Sequence, residues 1–156
     1  MKIFLILIVM NLINLFLDDI VHIKGKLYLG NLNSLNNIEK NQIKLIISIY
    51  HHPIKINSNI KHLQFFIKDD LTINSNLLLL KAWKSIIKVV KKEKGNVLIH
   101  CHYGLQRSAC TLLILLMELY QLNEYEGIKL IQNKRPLALY PENHFNFALK
   151  IYQDNK

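Results

Sequence analysis

Cysteine is scarce: Cys101 and Cys110 are the only two in 156 residues. A small secreted scaffold stapled by disulfides needs more than that, so stability has to come from an apolar core, and a reducing, cytoplasmic setting is expected. Proline (three) and glycine (five) are also few, while 51% of the residues are hydrophobic. That balance excludes a disordered or linker-rich chain and suits a single packed domain. No internal repeat or low-complexity segment occurs. Acidic residues are outnumbered, 11 against 20 basic ones, for a formal net charge of +9. Such an excess fits anionic partners and selects none of them: phosphoproteins, phospholipid headgroups and nucleic acid all qualify. Lys81, Lys84, Lys88, Lys91 and Lys92 fall at helical spacing on one face, which reads as a solvated face or as a docking or membrane-facing strip. No aromatic residue is interleaved on that face, so a stacking platform for single-stranded nucleic acid is not indicated and no nucleic-acid partner is expected.

A long hydrophobic run is also missing. The longest, Ile3 to Leu17, has 15 residues, about 22 Å as a helix, against a hydrocarbon core of roughly 30 Å. A secretory signal would need a small-x-small cleavage site, but Asn11 and Asn14 stand there. For the apolar segment 1–19 a signal peptide, a membrane anchor, a helix packed on the domain and an extension ahead of Met10 remain open. The expectation is a retained N-terminal helix over residues 1–17 that associates with a membrane, with the folded domain at 20–156.

Beyond it, strand-like and helix-like pieces alternate. Val21–Ile23, a turn at Lys24-Gly25, and Lys26–Leu29 read as a hairpin. Ser34–Gln42 reads as a short helix capped by Ser34, and Leu45–Ile49 and His62–Ile67 as strands. Asn76–Lys94 is amphipathic, with Leu79, Trp83, Ile86, Ile87 and Val90 on one face and Gly95 as its stop. Val97–His100 is a strand, and Arg107–Gln121 a helix apolar on most sides, hence central. Glu124–Asn133 and Pro141–Tyr152 complete the set, the last with proline at its first position. This alternation predicts an α/β domain with helices around a mainly parallel twisted sheet.

The chemistry concentrates in one stretch, Val97-Leu98-Ile99-His100-Cys101-His102-Tyr103-Gly104-Leu105-Gln106-Arg107-Ser108. A tight loop between strand and helix turns several backbone N–H groups toward one point and makes an anion site. Cys101 opens the loop and Arg107 closes it, with five residues between them and Gly104 supplying backbone freedom. Converging amides, a helix N-terminus and a guanidinium favour a thiolate. The same cradle fits three phosphoryl oxygens, two of them within reach of the planar fork of Arg107. Attack by sulfur gives a cysteinyl-phosphate, and Ser108 is placed to donate a hydrogen bond to the departing sulfur. Cys110 reads as a core thiol, with a resolving partner for Cys101 as the alternative. His100 reads as a structural residue that hydrogen-bonds the loop, and His51 and His52 as a surface turn before Pro53. A metal site is not expected: His100, Cys101 and His102 are adjacent and point apart, and no second ligand pair has zinc-like spacing.

These residues resemble the signature of the protein tyrosine phosphatase superfamily: His-Cys, five residues, Arg, then Ser or Thr. His100, Cys101, Gly104, Arg107 and Ser108 match it. Lys26-Leu27-Tyr28-Leu29-Gly30, Lys134-Arg135-Pro136, Pro141-Glu142-Asn143 and Phe145 resemble its small dual-specificity branch, so that the likeness covers Ile20 to Tyr152. Gln106 departs from the branch, which often has serine there. The position contributes mainly a backbone N–H. The resemblance implies a protein tyrosine phosphatase-like fold and a shallow cleft admitting phosphotyrosine, phosphoserine and phosphothreonine of protein substrates. It implies His102, Tyr103, Gly104, Leu105, Gln106 and Arg107 as the phosphate-binding loop, with His102 and Tyr103 as its bulky rim. His100 and Asn143 are implied as supporting residues, and no metal or organic cofactor is required. It also implies an aspartate general acid upstream of the cysteine, for which Asp69 fits better than its neighbour Asp70; either could instead cap a turn. A phosphoinositide or RNA 5′-phosphatase would be expected to carry more Lys or Arg in the loop, and a non-catalytic phospho-binding module to lack the cysteine. Oligomeric state has no signal in this sequence.

Overall fold

The computed structural model describes residues 2–14 and 18–156; the end of the expected N-terminal helix, at 15–17, lies outside them. Helix α1 covers Lys2–Asn14. The side chains of Ile3, Phe4, Leu5, Ile6, Leu7, Ile8, Val9 and Leu12, among those described, are all exposed. Among the described residues no helix is long and apolar enough to cross a membrane.

Five strands form one sheet in the order β1-β2-β5-β3-β4: β1 Ile20–Lys24, β2 Leu27–Gly30, β3 Ile43–Ile49, β4 Lys61–Phe65 and β5 Asn96–His100. The edge hairpin β1–β2 is antiparallel, and every other pairing is parallel, as the alternation of strands and helices requires. Helices α2 (Ile73–Lys92), α3 (Arg107–Tyr120), α4 (Glu124–Lys134) and α5 (Asn146–Asp154) complete the domain. Strand β3 alternates in destination rather than in polarity. Leu45, Ile47 and Ile49 enter the main core, which includes Leu79, Trp83 and Ile86 of α2 and Leu112, Leu113 and Leu116 of α3. Ile43 and Ile46 join Leu98 and Ile38 in a smaller cluster. A strand covered on both faces therefore reads as an unbroken apolar run. Helix α3 is buried from Arg107 through Leu116, which makes it the central helix.

Several boundaries differ from the sequence expectation, each for a local reason. Residues 32–37 form a 3-10 helix capped by Asn31, whose Oδ1 accepts from Ser34 N; Ser34 is buried inside it and is not the cap. Strand β4 ends at Phe65 because the Ile67 carbonyl accepts from Arg107 instead of a strand. Helix α2 starts at Ile73 because Thr72 caps it through Ser75 N. It ends at Lys92, where Glu93 is already extended; Glu93 Oε1 takes the N–H of Gly95, which is not a left-handed stop. Helix α5 begins at Asn146, not at Pro141. The peptide groups of 142–145 are committed elsewhere: Glu142 O and His144 N bond the Gln106 side chain, and Phe145 N bonds Asn143 Oδ1.

The register brings three loop entrances together. Gly30 of β2 and Ser48 of β3 both lie opposite His100 of β5. Cys101 thus leaves the sheet between two strands at its carboxyl edge, where open α/β sheets place ligands.

Candidate active site

The loop from Cys101 to Arg107 is pinned from outside through its carbonyls. His102 O accepts from Leu32 N (2.9 Å), Tyr103 O from Arg135 Nη2 (3.1 Å) and Leu105 O from Leu139 N (2.8 Å). The backbone N–H groups of residues 102–107 donate to no acceptor among the described residues. Carbonyls held outward and amides left free give a bowl suited to a multiply charged oxyanion. Gly104 makes the tightest part of this bend possible. Its φ is +68°, and a Cβ there would stand 2.6 Å from Gly30 O.

Cys101 is 2% exposed, and its Sγ lies 3.0 Å from Ser108 Oγ in the first turn of α3. Arg107, at the start of that turn, is also buried. Its Nη1 donates to Ile67 O (3.0 Å) and to His51 Nδ1 (3.2 Å), and Tyr50 lies beneath the guanidinium at 5.6 Å. Arginine only donates, so His51 accepts at Nδ1 and is neutral in this contact. Partial desolvation where the ring meets the site, His52 and the Arg107 charge all push the His51 pKa down, which favours that form. Arg107 Nε is buried without a partner among the described residues, a donor still available to a bound anion. The same guanidinium adds to the burial that depresses His100 and His102, the residues on either side of Cys101. The guanidinium thus acts on both chain neighbours of Cys101.

His100 anchors the loop from below. Its Nδ1 faces Cys101 O at 3.2 Å and its Nε2 faces Ser48 Oγ at 2.6 Å, which in turn lies 2.8 Å from His62 Nε2. A carbonyl can only accept, so His100 Nδ1 carries the proton, Ser48 donates to His100 Nε2, and His62 donates to Ser48. Burial pushes the His100 pKa down to about 4, with the His62 and Arg107 charges adding to it. Both of its nitrogens are engaged, one by the loop and one by Ser48, and the low pKa keeps the ring neutral. Ser48 and His62 escaped the sequence reading; the available signal was a serine inside the apolar run Leu45–Ile49.

A second guanidinium went unassigned as well. Arg135 is 1% exposed and ties Asp18 O (2.7 Å) to Tyr103 O (3.1 Å), bracing the loop from behind. The aspartates separate clearly. Asp70 Oδ1 accepts from Thr72 N (3.1 Å) and Thr72 Oγ1 (2.7 Å); bonds from Ser75 and Thr72 hold its pKa down, and it caps the turn before α2. Asp69 takes no part in that cap, and its Oδ1 lies 2.8 Å from His144 Nδ1.

The rim carries more rings than expected. His102 stacks on Tyr50 (5.8 Å between centroids) and meets Tyr103 edge-on (4.3 Å), while His51 lies 4.7 Å from Tyr50. His51 and His52 are exposed, as a surface turn should be, but His51 reaches into the site. Asn143 makes no hydrogen bond to the 101–107 loop among the described residues: its Oδ1 accepts from Phe145 N, and its Nδ2 meets Cys110 Sγ at 3.4 Å. The side chain that connects this segment to the loop is Gln106, the residue expected to contribute mainly its backbone N–H. Burial raises the Cys110 pKa to about 12, the state of a core thiol. Among the described residues no cluster of three His, Cys, Asp or Glu could hold a metal ion.

The family model for the dual specificity phosphatase catalytic domain matches residues 27–155. This chain belongs to the dual-specificity phosphatase family. As a member it is a protein phosphatase acting on phosphorylated proteins. The phosphatase is 32% identical over 150 residues to AMV078 of Amsacta moorei entomopoxvirus, described as a tyrosine-protein phosphatase, and covers 88% of each chain. It is 28% identical to Protein phosphatase Slingshot homolog 3 of Homo sapiens over 81% of its own length, but spans only 20% of that protein. In fold it is similar to human DUSP28, with a TM-score of 0.74 and 18% identity over 88% of this chain and 95% of that one.

Proposed function

We propose that this phosphatase hydrolyses phosphotyrosine, and also phosphoserine and phosphothreonine, in proteins through a cysteinyl-phosphate on Cys101. The observation that carries the reading is the bowl of free amides from 102 to 107, with Cys101 Sγ at its base beside Ser108 and an unpartnered Arg107 Nε. The phosphoryl oxygens take the amides and Arg107. The Cys101 thiolate attacks phosphorus, the ester P–O bond breaks, and Asp69 gives its proton to the leaving oxygen, a contribution of about 10²–10⁴-fold. Water then attacks phosphorus, Asp69 takes a proton from it, and the S–P bond breaks. Ser108 donates to the emerging thiolate, which is the leaving group of this step.

Purified protein is expected to release phosphate from an aryl phosphate and from phosphopeptides, and to be blocked by vanadate. Cys101→Ser is expected to be inactive yet to retain phosphorylated targets. Equal rates for the two proteins would end the catalytic reading. Preference for phosphoinositides or RNA 5′-phosphates over phosphopeptides in the same panel would reassign the substrate. The exposed apolar surface of α1 supports an enzyme held at a membrane through residues 1–17, and the two free cysteines support a reducing, cytoplasmic setting.

A further inference from the structure

His144 has no part in the mechanism above, yet its backbone is among the most firmly held near the site. Its N–H donates to Gln106 Oε1 at 2.9 Å and its carbonyl accepts from Asn76 Nδ2 at 3.2 Å. Both amides are buried, Gln106 at 6% and Asn76 at 3% exposure, and both are held by further bonds. Gln106 Nε2 donates to Glu142 O at 3.0 Å, and Asn76 Oδ1 accepts from Ala148 N at 3.1 Å. One mount comes from the catalytic loop and the other from α2. From this fixed point the imidazole reaches out of its own segment, and Nδ1 stops 2.8 Å from Asp69 Oδ1.

Asp69 lacks such support of its own. It stands on a loop whose neighbours Phe66 and Leu71 are exposed, and the only side-chain hydrogen bond of its carboxyl among the described residues is to His144. A carboxyl on an exposed loop samples several rotamers, and a group that must meet a leaving oxygen within hydrogen-bond reach loses rate steeply when it strays. We propose that His144 is the positioning residue of the general acid. Its Nδ1–H occupies Asp69 Oδ1 and leaves Oδ2, which has no protein partner among the described residues, for the leaving group in the first step and for water in the second. Through Gln106 the same contact ties the acid loop to the phosphate bowl, so the proton donor and the phosphoryl site keep a fixed separation.

The inference rests on Asp69 as the general acid, and leaving-group dependence separates the two claims. Phenyl phosphate needs a proton at its leaving oxygen far more than 4-nitrophenyl phosphate does. Asp69→Asn is therefore expected to lower kcat/KM much more for the first ester than for the second. His144→Ala is expected to reproduce that pattern in reduced form, by about tenfold on phenyl phosphate and little on the nitrophenyl ester. His144→Asn, whose Nδ2 can donate from nearly the same place as Nδ1, is expected to recover most of the loss. In an Asp69→Asn background, His144→Ala is expected to change nothing further. A His144→Ala loss of equal size on both esters, or one that persists without the Asp69 carboxyl, would mark a merely structural contact and overturn the proposal. If Asp69→Asn itself ignores the leaving group while Cys101→Ser is dead, the assignment of Asp69 falls and the role of His144 falls with it.

Discussion

His100 couples the stability of the site to pH. An imidazole is ordinarily half-protonated near 6.5, but burial holds His100 at about 4 in the folded chain. Between those values the unfolded chain binds a proton that the folded chain refuses, so stability falls as pH drops from about 6.5 toward about 4, by an upper bound of about 3 kcal/mol. Above 6.5 both states are neutral and this dependence vanishes. His62 and His102 are shifted in the same direction, mainly by burial, and act in the same sense. Chemical denaturation at stepped pH is expected to give a flatter acid limb for His100→Gln than for the wild type, even though the variant is less stable at pH 7. An unchanged slope would mean that His100 is not the buried neutral group. Cys101, Arg107 and Ser108 stand out in the sequence because the proposed chemistry fixes their spacing within one loop. Ser48, His62, Arg135 and His144 stayed hidden because each acts through a partner far along the chain, such as Ser48 with His100 or His144 with Asp69. Nothing in local spacing reports such a pair.

The strand–loop–helix unit from β5 to α3 works only with a particular bend in the middle. At Gly104 two constraints coincide, a left-handed φ of +68° and a backbone oxygen 2.6 Å from where a Cβ would be. An alanine there must push the loop away from Gly30 and tilt the amides of its neighbours. Gly104→Ala is expected to lose more than about tenfold in kcat/KM, because small misplacements at a reacting centre are costly, and to lose only about 1–3 kcal/mol of stability, the scale of one strained residue. Aryl phosphate kinetics beside a thermal melt would check this; full activity would mean that the bowl tolerates a different bend. At this scale the element types were legible from period and length, since a half-buried helix such as α2 and a doubly covered strand such as β3 each leave a pattern. Their ends were less so. Asn31, Thr72 and the Gln106 side chain decide where helices start, and two of those three outcompete residues that look equally good in sequence, Ser34 and Pro141.

Seen as a whole, the molecule divides its apolar surface unequally. Among the described residues both hydrophobic clusters are built from Ile20 onward, and no described side chain of α1 contributes to either. The domain should therefore not need the N-terminal segment to fold, while that segment is left with eight large apolar side chains in water. A helix apolar all round needs something to bury it. At 13 residues α1 is about 20 Å long, too short for a hydrocarbon core of roughly 30 Å but long enough to sink into one leaflet. The net charge of +9 favours an anionic bilayer, because each basic residue near such a surface adds about 1 kcal/mol. Deleting residues 1–17 is expected to leave kcat/KM on a soluble aryl phosphate and the melting temperature nearly unchanged. The same deletion is expected to abolish co-sedimentation with vesicles containing phosphatidylserine. Full-length protein should bind those vesicles more strongly than neutral ones, and the difference should shrink as salt is raised, since charge attraction is screened over about 10 Å at 0.1 M. Binding that survives the deletion would move the contact to the lysine face of α2, where Lys81, Lys84 and Lys88 are exposed. A truncated domain that melts far lower would instead mean that α1 packs against the protein in solution.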